Sequence, residues 1–256
     1  MTEPPRLDMT HLPDLAATTG RVGPVRTRMP VYVDLLPPCN KACPAGENIQ
    51  EWLRLVKAGA DEAAWRELTR NNPFPAIHGR VCFHPCETAC NRAELDSAVS
   101  IHAVERFLGD HANAQGWVPD PPPAPTGRRV LVVGAGPSGL SAAYHLRRLG
   151  HAVEIRDAGD QPGGMMRYGI PGFRTPRPVL DAEIQRILDL GVTARMGTRI
   201  GTDITLEQIR AEFDAVFLGL GAQAGRPLPV EGSEAPNVVT ATAFLKAFND
   251  GRMRHV

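Results

Sequence analysis

The stretch Arg129-Val-Leu-Val-Val133, followed directly by Gly134-Ala-Gly136-Pro-Ser-Gly139, decides the fold of the second half of the chain. Four aliphatic residues in a row predict a buried strand, and the glycines open a predicted helix over 138–149. In this context Gly134 makes a tight turn, Gly136 lets a phosphate approach the backbone, and Gly139 lets the helix pack closely on the strand. The stretch therefore predicts a dinucleotide site, and it does not distinguish FAD from NAD.

Alternating strand and helix patterns continue beyond this stretch. Strands are predicted over 129–133, 152–156 and 215–218, and helices over 138–149, 179–190 and 206–212. This alternation predicts a parallel sheet covered by helices. Asp157 follows the second strand, 18 residues after Gly139, where an acid can accept hydrogen bonds from ribose hydroxyls. Its neighbour Arg156 is read either as a contact for a 2′-phosphate or as a solvated side chain.

The chain divides into four predicted segments. Residues 1–37 show no lasting period and are read as an irregular arm. Residues 38–116 contain helical patterns, including Ile49, Trp52, Leu53 and Val56 on one face, and hold all the cysteines. Residues 117–127 are rich in proline and are read as a linker, and 128–256 form the Rossmann-like domain.

The five cysteines lie in two groups, Cys39-x3-Cys43-Pro and Cys82-x3-Cys86-x3-Cys90. Thiolates select zinc or iron–sulfur clusters, and a proline directly after a cysteine ligand recurs in iron–sulfur loops. Neither group has the C-x2-C spacing of a zinc ribbon. Buried structural thiols are the alternative interpretation.

A carboxylate is predicted on the apolar face of a helix over 99–112. Ile101, Val104 and Leu108 form that face, and Glu105 lies about 40° from Ile101 at ~100° per residue. A buried carboxylate must be paired or bound to a metal. An arginine partner and ligation of a cluster are both open on these grounds.

Composition limits the classes of function. The chain has 28 Lys and Arg and 28 Asp and Glu among 256 residues, so no excess charge favours nucleic acid or an anionic membrane. No apolar run of membrane-spanning length and no signal-peptide pattern is present. We therefore expect a cytoplasmic protein with neither type of partner.

Several of these blocks together resemble a known family. They are Cys39-Asn-Lys-Ala-Cys43-Pro-Ala-Gly, Asn72-Pro-Phe-Pro, Gly79-Arg-Val-Cys82-Phe-His-Pro-Cys86-Glu-Thr-Ala-Cys90, Gly163-Gly164-Met-Met-Arg-Tyr-Gly169-Ile170-Pro171 and Phe217-Leu-Gly-Leu-Gly221-Ala. The chain is similar over about residues 38–255 to the small (beta) subunit of NADPH-dependent glutamate synthase and to the front region of dihydropyrimidine dehydrogenase. The resemblance implies an α+β multidomain protein, with a small all-α iron–sulfur domain before an FAD-binding Rossmann-like domain.

The resemblance also implies the cofactors and the residues that hold them. FAD is expected at the Rossmann-like fold, one [4Fe–4S] cluster in the helical domain, and NAD(P)H as a co-substrate bound outside this segment. The expected FAD-binding residues are Gly134, Gly136, Pro137, Ser138, Gly139, Asp157, Gly163, Gly164, Arg167, Gly169, Ile170 and Gly221. The candidate metal ligands are Cys39, Cys43, Cys82, Cys86, Cys90 and Glu105.

Two departures from the family pattern matter. The family usually carries two clusters, one using a C-x2-C pair before the position of Cys39, and this chain has no cysteine over 30–38. Residue-by-residue matching gives Cys43, Cys82 and Cys86 as ligands with Glu105 as the fourth. Cys39 and Cys90 are then remnants of the lost cluster, or substitutes if Glu105 does not bind.

The second departure is length, because the family's NAD(P)H site begins about where this sequence ends. We expect the chain to be a fragment or half of a split enzyme, inactive alone, that passes electrons to a partner subunit or domain resembling the glutamate synthase large subunit or a ferredoxin. Two alternatives are a docking or regulatory module with few cofactors, and an NAD-dependent dehydrogenase with a zinc-stabilised appendage. No catalytic acid, base or nucleophile is expected.

Overall fold

A computed structural model describes residues 36–222, 224–226, 228–236 and 238–253. The irregular arm predicted over 1–37 lies outside the described residues, apart from positions 36 and 37. The predicted linker over 117–127 contains neither helix nor strand. In the part of the chain that is described, no helix has both the length and the apolar character needed to cross a membrane.

The helical domain consists of short helices around a core that contains two buried tryptophans. Trp52 and Trp65 are fully buried there, on the faces that the spacing of apolar residues predicts. A 3-10 turn spans Asn91–Glu94. The α-helices are α1 (Pro38–Ala42), α2 (Ile49–Lys57), α3 (Asp61–Thr69), α4 (Pro75–Val81), α5 (Pro85–Thr88) and α6 (Ile101–Gln115).

Two glycines allow α4 and α6 to pack backbone against backbone. A Cβ atom added to Gly109 would lie 2.2 Å from the amide nitrogen of Ala76, and one added to Gly79 would lie 2.5 Å from that of Arg106. Neither distance is compatible with a side chain, so both positions require glycine. This contact fixes α4, which ends next to Cys82, against α6, which carries Glu105.

The Rossmann-like domain contains one parallel sheet in the order β3-β2-β1-β4. The chain runs outward from β1 to β3 and then crosses to the other side of β1, so the strand order reverses between β1 and β4. Its elements are β1 (Arg129–Val133), α7 (Pro137–Arg148), β2 (Ala152–Arg156), α8 (Met165–Tyr168), α9 (Arg177–Leu188), β3 (Val192–Arg195), α10 (Leu206–Glu212), β4 (Ala215–Leu218) and α11 (Ala241–Asn249).

A buried carboxylate joins the two domains. Glu183 of α9 is 0% exposed, and its two oxygens accept hydrogen bonds from the amide nitrogens of Ala76 (2.8 Å) and Ile77 (3.1 Å) in the first turn of α4. An acidic side chain is stabilised at a helix N-terminus by the free N–H groups and the helix dipole. Glu183 therefore caps a helix of the other domain.

Other contacts strengthen the same interface. The Tyr144 hydroxyl donates to the carbonyl oxygen of Thr69 at 2.9 Å, and Arg186 donates to the carbonyl oxygen of Trp117 at 3.1 Å. Phe74 and Ile77 of the helical domain are buried among the residues of the Rossmann core. The two domains consequently share one continuous packed interface.

Candidate cofactor sites

The glycine turn after β1 has the geometry expected of a phosphate-binding turn. Gly134 has a φ of +107°, which side chains other than glycine rarely adopt. A Cβ atom on Gly139 would lie 1.8 Å from the carbonyl oxygen of Gly134. Both glycines are therefore required by the fold. Pro137 begins α7, so the free N–H groups of this 12-residue helix are presented next to the turn.

A cleft of about 640 Å³ opens at the carboxyl ends of β1 and β2 and beside the segment after β4. This is the point where the strand order reverses, and ligands of open α/β sheets bind there. The lining includes three of the predicted residues, Gly134, Asp157 and Gly164, together with Met165, Tyr168, Thr198, Leu220, Ala222, Thr240 and Lys246.

Asp157 connects the end of β2 to the glycine turn. One carboxylate oxygen accepts from the amide nitrogen of Ala135 at 2.7 Å, and the other from that of Gly159 at 2.6 Å. The carboxylate thus holds the turn in place and also lines the cleft. A ribose hydroxyl would have to share these oxygens with backbone donors that are already present.

The Gly163-Gly164 pair brings a second loop against the glycine turn. The amide nitrogen of Gly163 donates to the carbonyl oxygen of Ala135 at 2.8 Å, and both glycines have positive φ, +124° and +49°. A Cβ atom on Gly164 would lie 2.6 Å from the Cα atom of Gly136. The glycine pair therefore allows a close approach of two backbone segments, as expected. The segment that it approaches is the glycine turn of the protein rather than a ligand.

Other predicted residues lie around this cleft without lining it. Arg167 is largely buried, donates to the carbonyl oxygen of Pro162 at 2.5 Å and pairs with Asp181, so it ties the glycine loop to α9. The remaining ones are Gly136 in the turn, Pro137, Ser138 and Gly139 in the first turn of α7, Gly169 and Ile170 after α8, and Gly221 after β4.

The structure shows that Arg156 is not the solvated side chain that one of the two sequence interpretations expected. It is 4% exposed rather than solvated, and its Nε donates to Glu154 at 2.6 Å. A second nitrogen contacts Glu212 at 3.3 Å, and the guanidinium lies over the ring of Phe213. Two carboxylates therefore already engage the charge that a 2′-phosphate would need.

The cysteines of the helical domain affect the pKa values of their neighbours in two sets. Burial and the nearby thiol of Cys43 raise the pKa of Cys86 to about 12, with a smaller contribution from Cys82. Burial likewise raises the pKa of Cys39, with a contribution from Cys90. Charge interactions thus connect Cys86 with Cys43 and Cys82, the residues matched to the family's cluster, and Cys39 with Cys90. The described cysteines form no disulfide.

Backbone N–H groups point at the sulfurs of the first set. Burial raises the pKa of Cys43, and the amides of Glu47, Ala45 and Gly46 act against that rise. The amide nitrogen of His84 lies 3.4 Å from the Sγ atom of Cys82. Such donors stabilise thiolates and tune the potential of a cluster. Thiols of raised pKa lose their protons when they bind iron, so this donor set fits an iron–sulfur cluster.

Glu105 is buried as the helical pattern predicts, but its partner is an amide rather than an arginine. Nδ2 of Asn72 donates to Glu105 at 2.7 Å and to Glu47 at 2.9 Å. Burial raises the pKa of Glu105 well above its ordinary value, and the charge of Glu47 raises it further. Two buried carboxylates thus share one donor beside the cysteines.

Sequence reasoning missed three residues of this region. Glu47 faces Cys43, Asn72 joins the two carboxylates, and Glu183 caps α4. Asn72 lies in the motif Asn72-Pro-Phe-Pro, and its Oδ1 also accepts from the amide nitrogen of Phe74 at 3.0 Å. The sequence could have indicated a structural role for Asn72, because this polar side chain lies directly before a proline-rich turn. No sequence pattern indicates Glu183, because its partner is more than 100 residues away.

Two family models match separate parts of the chain. Residues 35–117 match the family described as dihydropyrimidine dehydrogenase domain II, 4Fe–4S cluster. Residues 132–193 match the family described as NAD(P)-binding Rossmann-like domain. The chain therefore combines a [4Fe–4S] domain with a dinucleotide-binding domain.

Relatives of three kinds are similar to most of the chain. The glutamate synthase [NADPH] small chain of Mycobacterium tuberculosis (strain H37Rv) is 42% identical over 211 residues, which are 82% of this chain and 43% of the relative. The NADPH-Fe(3+) oxidoreductase subunit beta of Geobacter sulfurreducens is 38% identical over 200 residues, 77% of this chain and 30% of the relative.

The NADP(+)-dependent formate dehydrogenase subunit beta of Moorella thermoacetica is 35% identical over 236 residues, 83% of this chain and 33% of the relative. The chain thus spans less than half the length of these relatives. Glutamate synthase small chains from other bacteria show 36% to 38% identity. Over the residues that match, the chain is similar to glutamate synthase small chains, and it combines a [4Fe–4S] domain with an NAD(P)-binding Rossmann-like domain.

Proposed function

We propose that this chain is an electron-transfer unit of an NADPH-dependent oxidoreductase. FAD binds in the cleft at the reversal of strand order, and one [4Fe–4S] cluster binds to Cys43, Cys82 and Cys86 with Glu105. When bound, FAD would supply the capacity to take a hydride from NADPH and to release electrons one at a time. The chain places the two cofactors and passes electrons to a partner subunit.

The observation that carries this proposal is the position of Cys82. It follows α4 directly, and the first turn of α4 is capped by Glu183 of the Rossmann-like domain. A seven-residue helix is about 10 Å long at 1.5 Å per residue. One cluster ligand is thus joined to the nucleotide-binding domain by a single short helix, whose first turn that domain caps.

The cleft fits FAD in its chemistry as well as its place. The N-terminus of α7 offers backbone donors for the pyrophosphate, and the cleft is large enough for part of a dinucleotide. Tyr168 and Met165 contribute apolar surface on the side of α8, and Lys246 adds a positive charge. A flavin needs an apolar wall and a nucleotide needs donors, and the cleft has both.

The relatives' names support the class of reaction. Three differently named oxidoreductase subunits share NADP or NADPH in their names, and each is a small chain or a beta subunit. The three relatives are named for different reactions, but each contains a region similar to this chain. We therefore expect the similar region to carry out the step that the reactions have in common. That step is the exchange of electrons with the nicotinamide nucleotide, so we expect a partner subunit to determine the final acceptor.

An absorption spectrum of the anaerobically purified 256-residue chain tests this proposal. We expect flavin bands near ~450 nm and a broad cluster shoulder near ~400 nm, which are general properties of these cofactors. Iron and acid-labile sulfide assays should give about four of each per chain, as one [4Fe–4S] cluster requires. A colourless protein that binds partner subunits would instead support the docking module. Zinc without iron would support the zinc-stabilised appendage.

A further inference from the structure

Three side chains in the helical domain form a cluster that the cofactor sites do not use. His84 precedes α5, Glu87 lies within α5, and His102 is the second residue of α6. One potential ligand atom from each lies within 4.8 Å of the other two, and all three residues are partly exposed. Among the described residues, no other group of three or more His, Cys, Asp or Glu side chains brings its potential ligand atoms within 4.8 Å of one another.

His84 has two features that its place in the chain does not require. Its φ is +53°, the one positive value among the described residues other than glycine, and such a conformation costs about 1–3 kcal/mol. Its Nε2 atom is buried and has no hydrogen-bond partner in the described part of the chain. An unpaired buried imidazole nitrogen is costly, and it is also the commonest metal-binding atom in proteins.

Glu87 orients the second imidazole. One of its oxygens accepts from the backbone nitrogen of His102 at 2.8 Å and lies 2.7 Å from Nδ1 of the same residue. Nδ1 and this carboxylate oxygen are close enough to bind one metal ion together, which would then take the place of the proton that the contact shares. The rings of His102 and His84 are stacked with their centroids 4.1 Å apart.

We propose that His84, Glu87 and His102 bind one divalent transition-metal ion of the Zn²⁺ class, separate from the cysteine-bound cluster. Two imidazoles and a carboxylate form a common ligand set for such ions, with water in the open position. Bonds of ~2.1 Å place tetrahedral ligand atoms about 3.4 Å apart, so small side-chain rotations complete the site. The partial exposure of the three residues gives the ion access.

The ion would connect two segments that carry cluster ligands. His84 lies between Cys82 and Cys86, and His102 is one helical turn before Glu105. A metal bound to folded but not to unfolded chain stabilises the fold. Occupancy of this site would therefore hold the cysteine loop against α6.

Zinc titration of the full chain with its iron–sulfur cluster assembled tests the site. We expect one Zn²⁺ to bind beyond the cluster iron, with X-ray absorption showing nitrogen and oxygen ligands at ~2.0–2.1 Å and none of the ~2.3 Å distances of sulfur. His84→Ala, Glu87→Gln and His102→Ala should each weaken zinc binding at least about 100-fold, since even outer-shell changes cost 10–100-fold.

The matched control is His111→Ala, on the same helix but packed against Phe107 and Trp117, which should leave zinc binding unchanged. Iron content, measured in parallel, reports on the cluster separately and should not change in Glu87→Gln. A sulfur-only zinc shell would overturn the proposal. So would equal zinc affinity in the wild type and all three site variants.

Discussion

Gly136 differs from its neighbours in the glycine turn because the fold does not require glycine there. Its φ of −80° and ψ of −177° are accessible to any residue, and an added Cβ atom would come no closer than 3.8 Å to its nearest neighbour, the Cα atom of Gly164. Gly134 and Gly139, by contrast, would clash with backbone atoms at 2.3 Å and 1.8 Å. Since packing gives no reason for glycine at 136, a bound phosphate is the physical reason that remains.

Replacing Gly136 by alanine should therefore abolish flavin binding and retain the fold. The added methyl group occupies the space next to the pyrophosphate, while the free energy of unfolding should change by no more than about 1 kcal/mol. Flavin content and thermal unfolding of the purified variant measure the two effects. Gly172→Ala is the control, because nothing lies within 4 Å of its Cβ position. Full flavin content in Gly136→Ala would remove this turn from the proposed site.

The proposed ligand set of the cluster predicts two different responses to cysteine substitution. Serine at Cys43, Cys82 or Cys86 should abolish iron incorporation and destabilise the helical domain, because cluster binding contributes to its folding free energy. Serine at Cys39 or Cys90 should leave most of the iron bound. These two are the matched controls, since they lie in the same loops. Iron assays on all five variants decide the matter, and equal losses at every position would contradict the division.

At the scale of elements, Glu183 shows how a single side chain joins two domains. Burial raises the pKa of Glu183 to about 7 from an ordinary value of 4.5, even though two backbone N–H groups and Arg186 favour its charge. The folded state therefore holds this proton more tightly than the unfolded chain does. The resulting stabilisation is complete below about pH 4.5 and is lost as the pH rises towards 7.

Glu183→Gln should remove this pH dependence. The wild type should lose up to about 3 kcal/mol of stability between pH 4.5 and 7 through this group, whereas the neutral amide loses none. The glutamine variant also gives up one hydrogen bond to α4, which lowers stability by about 1 kcal/mol at every pH. Urea unfolding across this range measures the difference, with exposed Glu207→Gln as the control. A constant gap between wild type and Glu183→Gln would contradict the prediction.

How far the sequence predicts each element depends on how local its determinants are. β1 and β4 have the predicted bounds, and α7 begins one residue early, because aliphatic runs and the glycine turn specify them directly. β3 and α4 were not predicted. β3 has four residues with no apolar run, and α4 includes Gly79, a poor helix former that only packing on α6 explains.

The candidate site divides in the same way. Gly134, Asp157 and the cysteine groups follow from short motifs, whose spacing carries the information. Arg167 was expected at the cofactor, and in the structure it holds a loop to α9. Its partner Asp181 lies on a different element, so the sequence does not reveal that pairing. Partners that are distant in sequence are set by tertiary packing alone.

At the scale of the whole molecule, the proposed function requires three binding sites. One holds FAD, one holds NADPH and one holds the [4Fe–4S] cluster. The sequence contains one strand, glycine turn and helix of the dinucleotide type, at 129–149, and one cleft of the described residues lies beside it. If FAD occupies that cleft, the nicotinamide ring needs a second anchoring pocket next to the flavin. The expectation that this chain does not turn over alone stays a prediction, and it can be tested directly.

Stopped-flow mixing of the flavin-loaded 256-residue chain with NADPH should show slow bleaching of the flavin, far below enzymatic rates. Hydride transfer needs donor and acceptor within about 3–3.5 Å, and a nucleotide without an anchoring pocket gives up most of the ~7–11 kcal/mol that positioning supplies. Dithionite, which needs no pocket, should bleach the same sample fully and serves as the control. Rapid stoichiometric bleaching by NADPH would mean that the chain itself holds a nicotinamide site.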